Sequence, residues 1–407
     1  MTTQPPVTPA TAPARASRSI WSRDFVSVCI GQFFGFSANS LCTPILPLYM
    51  VLQGYSETFM GLTLGAFNVV SFLVRPAFGG LVDAGRPRFA MGVAGVFMTL
   101  GPLGYLIQNS AIVFLVRAFH GIGWAGVNTT GSAWVAYLAP AARRAEALGY
   151  YTMAQRVGGA WGPVVGLWLA NNIGFPPAFM AAGVLGFAVL ATSAAARSGA
   201  ETAAPAAATA EDAQLSWFRR VVEPGAFLGA SLLVLNTIPG QVVSSFMPLY
   251  FRELQIGGIE GYFLVLGLMG IVSRGLIGRW ADKIGRMRAI GWGFGIQFLG
   301  LCSFVLTENP LLLTLGGAVW IFGSAVCQPS LYALAIDRAP GHRRGRAMAT
   351  YTMAFQVGSG IGAVTGGVVL EHFGFATLHT LTALQALVGL VIVLAGARRW
   401  FGGPKPA

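Results

Sequence analysis

Long apolar runs follow one another along the chain, separated by short polar breaks. A helix needs about 20 largely apolar residues to cross the hydrocarbon core of a bilayer. Twelve runs meet that length: 25–51, 57–80, 89–107, 111–138, 145–171, 174–195, 222–250, 259–281, 288–306, 311–336, 346–371 and 375–397. The pattern therefore predicts an all-α membrane protein with twelve transmembrane helices.

Composition agrees. The chain has 407 residues, 55% hydrophobic and only 10% charged, against roughly 25% charged in ordinary soluble domains. Its 55 glycines suit helices that approach closely in lipid, where packing and interhelical hydrogen bonds replace hydrophobic collapse. The net charge of +12 does not point to nucleic acid, because Lys and Arg fall between the apolar runs and form no surface stripe. Four cysteines, Cys29, Cys42, Cys302 and Cys327, lie inside apolar stretches without the spacing of a metal site or disulfide framework.

Charge placement sets the expected orientation. Loops 82–88, 139–144, 197–220, 282–288 and 337–346 lie on one side and hold most of the Arg and Lys. The opposite loops hold Glu57, Glu253, Glu260, Glu308 and Glu371, with Arg252 as the clear base among them. The positive-inside rule then makes the chain a multi-pass protein of the inner (plasma) membrane with both termini cytoplasmic. Residues 1–22, rich in Thr, Pro and Ala, lack the apolar core of a signal peptide and read as a disordered cytoplasmic tail.

The chain also repeats itself. Tyr151-Thr152-Met153-Ala154 recurs as Tyr351-Thr352-Met353-Ala354, and Pro140 with Arg143-Arg144 as Pro340 with Arg343-Arg344, each 200 positions later. Arg75, Gly79 and Asp83 match Arg274, Gly278 and Asp282, and Pro47-Leu48-Tyr49 matches Pro248-Leu249-Tyr250. Six spans repeat as six spans, and an even number returns the chain to the same side, so the halves are parallel repeats about an axis along the membrane normal. The expected organisation is a six-helix bundle at 23–197, an Ala-rich cytoplasmic linker at 198–220, a second six-helix bundle at 221–400 and a cytoplasmic tail at 401–407.

Three motifs on this frame resemble the major facilitator superfamily, and the likeness covers nearly the whole chain outside tails and linker. The first is the loop after the second span of each half. In the second half it reads Gly278-Arg-Trp-Ala-Asp282-Lys-Ile-Gly285-Arg286-Met-Arg288; in the first, Gly79-Gly-Leu-Val-Asp83-Ala-Gly85-Arg86-Pro-Arg88 is one residue shorter between Asp and Gly. An Asp at a helix end can cap a neighbouring helix and pair with Arg, so Asp83, Arg86, Asp282 and Arg286 are expected to form a cytoplasmic conformational latch. The second motif is Arg117-Ala-Phe-His120-Gly121-Ile-Gly123 in span four. An Arg inside an apolar span is costly and usually functional, and the resemblance implies proton transfer or substrate binding there. His120 shares the helical face of Arg117 and is a second coupling candidate. The third is Gly158, Gly162, Pro163 and Gly166 in span five, similar to the pattern associated with antiporters and also a stripe for close helix packing.

Arg156 lies twelve residues beyond Arg144, about 18 Å at helical rise and so near the bilayer midplane. Its repeat partner is the neutral Gln356, so the charge is not required to build the helix pair. All fourteen Asp and Glu residues fall in tails, loops or span ends. Without a mid-span carboxylate, Arg117 and Arg156 suit an anionic, zwitterionic or neutral amphipathic substrate better than a cation. Gln32, Asn39, Asn128, Thr129, Asn236, Gln241 and Gln328 lie at cavity depth, either lining a pathway or bonding across helix interfaces.

The resemblance implies a secondary transporter working by alternating access, with proton-linked efflux of a drug or metabolite as the leading expectation and uptake of a metabolite by the same fold as the alternative. A membrane receptor or partner subunit that moves nothing is the remaining one. No cofactor is expected beyond a proton gradient, and the partners are a small-molecule substrate and the bilayer, with the monomer as functional unit. No nucleotide-binding loop, metal-ligand cluster or nucleophile–base pair supports an enzyme.

Overall fold

A computed structural model of the chain describes residues 19–140, 143–196, 223–339 and 344–400, with backbone alone at 145, 274–283, 344–346 and 397–400. Most of the tail expected at 1–22, the linker at 198–220 and the tail at 401–407 lie outside the described residues.

The first half contains α1 (Arg23–Leu52), α2 (Glu57–Asp83), α3 (Pro87–Gly104), α4 (Ser110–Leu138), α5 (Arg144–Asn172) and α6 (Phe175–Ala195). The second opens with a 3-10 turn at Pro224–Ala226, followed by α7 (Phe227–Glu253), α8 (Ile259–Ile284), α9 (Arg286–Leu306) and α10 (Pro310–Asp337). Helical backbone then runs over Arg344–Trp400, interrupted only by Gly374 at φ 74°, which divides α11 (344–373) from α12 (375–400). These supply the twelve expected spans. On length and apolarity alone, eight helical segments among the described residues qualify as spans, the last being the α11–α12 pair; α3, α5 and α8 complete the set.

Local chemistry fixes the ends. Ser22, Ser56 and Asn109 accept from Phe25, Phe59 and Ile112 backbone N–H groups at the starts of α1, α2 and α4, and Asn309 does the same for α10. The run expected to begin at 222 becomes helical only after the Pro224 turn, where Glu223 caps Gly225. Span three, expected to reach 107, ends its helix at Gly104. Both loops after the second span of a half turn at a positive-φ glycine, Gly85 at 73° and Gly285 at 85°. The one-residue difference in loop length therefore leaves a positive-φ glycine at the same repeat position.

Within each half the glycine stripes do the packing. Ideal methyl groups at Gly158, Gly162 and Gly166 would press on the α1 backbone, Gly162 within 2.9 Å of Ser37 O and Gly166 within 2.7 Å of Leu41 O. Trp161 Nε1 donates to Ser37 Oγ at 2.8 Å across the same α1–α5 seam. Gly358 and Gly362 approach Val234 O and Ile238 O of α7 at 2.8 Å in the same sense. The stripe is thus a packing device in both halves, with Pro163 interrupting the α5 ladder in one of them.

The fold has a terminal face, carrying the start of α1 and the end of α12, and an opposite face. Close approaches between the halves lie toward the opposite face. There Gly61 and Gly367 bring α2 and α11 into backbone contact, and Thr58 N donates to Glu371 Oε2 at 2.7 Å. Symmetrically, Asn171 Nδ2 of α5 donates to Glu260 Oε1 of α8 at 2.6 Å, and Gly267 of α8 seats on Ala160 of α5. Nearer the middle, Gln356 Nε2 donates to Ser71 Oγ at 2.8 Å. Toward the terminal face Gly79, Gly80 and Gly149 meet nothing within 4 Å, and Tyr150, Met153 and Phe355 are exposed. Among the described residues, the close approaches between the halves thus lie on the opposite face and in the middle.

Candidate functional site

Ala160 of α5 touches Gly267 in the other half, and Arg156 lies one turn away on the same helical face. That register turns Arg156 toward the other half, and its side chain is exposed. Its repeat counterpart Gln356 is buried instead, bonded to Ser71 across the interface. One position therefore carries an exposed charge in α5 and an interdomain hydrogen bond in α11.

Arg117 and His120 are, by contrast, enclosed within the first half. Arg117 is 3% exposed and His120 fully buried. Arg117 Nη1 donates to Tyr105 Oη at 3.3 Å and lies 3.4 Å from His120 Nδ1, while Tyr105 Oη and His120 Nδ1 are 2.8 Å apart. The guanidinium carbon sits 4.0 Å from the centroid of the Phe67 ring, a cation–π contact from α2. Gly101 of α3 lets the His120 ring approach, since a methyl there would fall 2.7 Å from it. Among the described residues, Arg117 Nε and His120 Nε2 find no hydrogen-bond partner. The cluster joins α2, α3 and α4, and Tyr105, which the sequence did not single out, is its centre.

The polar residues divide. Asn128 and Gln328 occupy repeat-equivalent places, and their carbonyl oxygens accept from Tyr151 Oη at 3.3 Å and Tyr351 Oη at 3.1 Å. These are backbone roles that the amide side chains do not share; Asn128 Nδ2 donates to Trp124 O of its own helix. Gln241 Nε2 donates to Ser245 Oγ at 2.7 Å along α7. Asn236 is buried and accepts from Ser324 Oγ at 3.3 Å, a helix-interface bond. Asn39 Oδ1, Thr129 Oγ1 and both side-chain atoms of Gln32 are buried without partners.

The loop motifs hold contacts within their own halves. Tyr137 Oη donates to Asp83 Oδ1 at 3.0 Å, tying α4 to α2. Arg286 pairs with Asp337 and donates to Ala333 O at 3.2 Å, tying α9 to α10. Residues 137 and 337 are repeat equivalents, so one position serves both loops. Arg86 stands at the N-cap of α3 without a side-chain cap bond. The side chain of Asp282 lies outside the described residues.

The sequence reading also missed the contacts that close the opposite face. Asn171 and Glu371 are 200 positions apart, each at the end of a repeat-equivalent helix and each bonded to the start of α8 or α2. The repeat offset alone could have found them. His379, buried among Tyr250, Phe304 and Phe375, occupies the place held by Phe179 beside Tyr49 in the first half. It reads as a packing position.

Comparison with known proteins comes to the same architecture. The family model described as Major Facilitator Superfamily matches residues 28–322 and 275–406. The multi-drug resistance efflux pump PmrA homolog of Lactococcus lactis is 26% identical over 394 residues, covering 93% of this chain and 96% of that protein. Multidrug resistance protein MdtG of Enterobacter lignolyticus is 28% identical over 412 residues, covering 95% of each. Among solved structures, the inward-open xylose transporter XylE from E. coli aligns with a TM-score of 0.70 at 16% identity, over 91% of this chain and 95% of that one.

Proposed function

This chain belongs to the major facilitator superfamily and is a transporter, not an enzyme; from that premise we propose that it exports a small organic molecule across the inner membrane by alternating access linked to proton entry. The observation that carries the reading is Arg156. It projects exposed from α5, one turn from the interdomain contact at Ala160, while the close approaches described between the halves lie toward the opposite face and reach inward to Gln356–Ser71. A cationic group there favours a substrate bearing a carboxylate, phosphate or comparable acceptor, zwitterions included, with neutral amphipathic molecules next. The terminal face is cytoplasmic in this reading, so the cleft loads from the cytoplasm. Relatives named as multidrug efflux proteins support outward direction.

Rocking of the halves then means breaking the Glu371–Thr58, Asn171–Glu260 and Gly61–Gly367 contacts and closing the cytoplasmic side over Arg156. His120 is the candidate coupling group. Its burial beside Arg117 and Tyr105 requires that it gain access to solvent in another conformation of the cycle. No covalent step and no cofactor other than the proton gradient enters, and the monomer holds the whole pathway.

The test begins with a thermal-stability screen of purified protein against anionic and zwitterionic metabolites, since a ligand of the native state raises its melting temperature. Counterflow of the hit is then measured in everted vesicles with and without an acidic interior. Accumulation driven by the acidic interior supports proton-linked export. Accumulation only in right-side-out vesicles with acid outside would make the protein an uptake carrier. Arg156→Gln abolishes transport while leaving folded protein in detergent; transport at normal affinity would end the anionic-site reading.

A further inference from the structure

The outer flank of the second half holds a groove. It lies between α9 and α12, has a volume of about 380 Å³ and is lined by Met287, Gly291, Trp292, Gly295, Leu390 and Val393, with Arg288 at its terminal-face end. That volume is in the range of small-molecule sites. Apart from Arg288 and the indole N–H the lining is apolar. α9 packs within its own half, against α10 and the α11–α12 pair, so the groove faces the bilayer and not the cleft between the halves.

The repeat shows how the groove arises. In the first half α3 and α6 close the same place: a methyl at Gly95 would lie 2.7 Å from Leu190 N, and Arg88 Nη2 donates to Ala194 O at 2.8 Å. In the second half Val393 and Leu394 stand where α6 has Ser193 and Ala194. The larger side chains hold the helices apart, and a methyl at Gly295 would meet only the tip of Leu390 at 3.9 Å. Gly291 is similarly loose, with Val393 Cγ1 at 3.4 Å.

We propose that this groove binds an anionic phospholipid of the cytoplasmic leaflet, with the headgroup phosphate on Arg288 and the first part of an acyl chain lying over Gly291 and Gly295 beside Trp292. The dimensions and charge agree. Gly295 is seven residues deeper than Arg288, about 10 Å along the helix, within the roughly 15 Å half-thickness of the hydrocarbon. Arg288 sits at the headgroup level, where a basic side chain attracts anionic lipid, and Trp292, 62% exposed, lies one turn deeper. A guanidinium at the mouth of an apolar slot complements a lipid phosphate above its chain. Orientation of the terminal face toward the cytoplasm is the one element shared with the proposed function. The binding itself needs no transport.

Native mass spectrometry of the purified full chain with dioleoyl phosphatidylglycerol or dioleoyl phosphatidylcholine tests this. The wild type retains the anionic lipid at about fivefold lower concentration, the factor that one basic residue near a membrane surface supplies. Arg288→Gln removes the preference. Gly295→Leu fills the slot and lowers retention of both lipids, with its melting temperature checking the fold. Arg88→Gln, at the repeat position in α3, keeps the wild-type preference. Equal retention of the two lipids by wild type, an unchanged preference in Arg288→Gln, or an equal loss in Arg88→Gln overturns the proposal, the last by making the effect a general property of the basic face. Unaltered lipid retention with lost transport in Gly295→Leu would make the groove a substrate portal, and would overturn it too.

Discussion

Gly367→Ala tests whether backbone contact between α2 and α11 holds the opposite face shut. An added methyl would land on the carbonyl oxygen of Glu57 and lie 2.9 Å from Gly61 Cα. Carbon atoms in contact prefer about 3.5–4.0 Å, so the helices must part by up to about 1 Å there. A gap of that size forfeits a quarter to a half of each neighbouring contact. Inserting a methyl into a filled interface costs about 1–3 kcal/mol. Only the conformation with α2 against α11 bears that cost; one with the opposite face open does not. The ratio of the two states should therefore shift about 5- to 150-fold toward the open opposite face. Spin labels on cysteines placed at Gln53 and Phe373, exposed near the ends of α1 and α11, report the separation by double electron–electron resonance once the four native cysteines are replaced. Gly367→Ala gains or enlarges a long-distance population, while Gly79→Ala, which enters open space, leaves the distribution as in wild type. An unchanged distribution in Gly367→Ala would refute the idea that close backbone approach governs this gate.

Two further perturbations address charge. The Glu371 carboxylate, exposed at the end of α11, is held below its ordinary value chiefly by the Thr58 backbone N–H. A depressed carboxylate contributes to the closed face above its ordinary value and loses that contribution as pH falls through the depressed one. The closed population should thus be constant near neutrality and decline below the usual carboxylate range of about 4.3. Glu371→Gln should show the declined population at every pH; a titration that persists in that variant would assign the effect elsewhere. For His120→Ala, transport should lose its pH dependence before ligand binding weakens, as read from counterflow at several pH values beside the ligand-induced melting shift. An unchanged pH profile excludes His120 as the coupling group.

Much of the architecture could be read from the chain because the bilayer imposes a length and the duplication supplies a check. Apolar runs located α1 to α12 to within a few residues, and the 200-residue offset paired them. What escaped were relations among residues distant in sequence. Arg117 and His120 were expected together from i,i+3 spacing, yet Tyr105, which bonds both, comes from another helix and carries no periodic signal. Asn128 and Gln328 attracted notice as polar side chains, while the structure uses their carbonyl oxygens, which every residue has. The loop motifs suggested a latch; the contacts described for Asp83 and Arg286 brace α2 to α4 and α9 to α10 inside each half, partners on helices that loop spacing does not name. Closure of the opposite face depends on Asn171, Glu260, Glu371 and two glycines, residue types too common at helix ends to stand out alone.

Duplication also separates building from chemistry. Where both halves keep a feature, it serves construction: the glycine stripes against α1 and α7, the Tyr151 and Tyr351 bonds, the turns at Gly85 and Gly285. Where they differ, one half has been released from the structural requirement. Positions 117, 120 and 156 hold Arg, His and Arg; positions 317, 320 and 356 hold Gly, Trp and Gln. Gly317 and Trp320 pack among Tyr262 and other apolar groups, and Gln356 ties the halves together. The same backbone is therefore stable without these three ionisable groups. Their cost inside the membrane is borne in the first half alone, which is what the proposed substrate and coupling chemistry would require of that half.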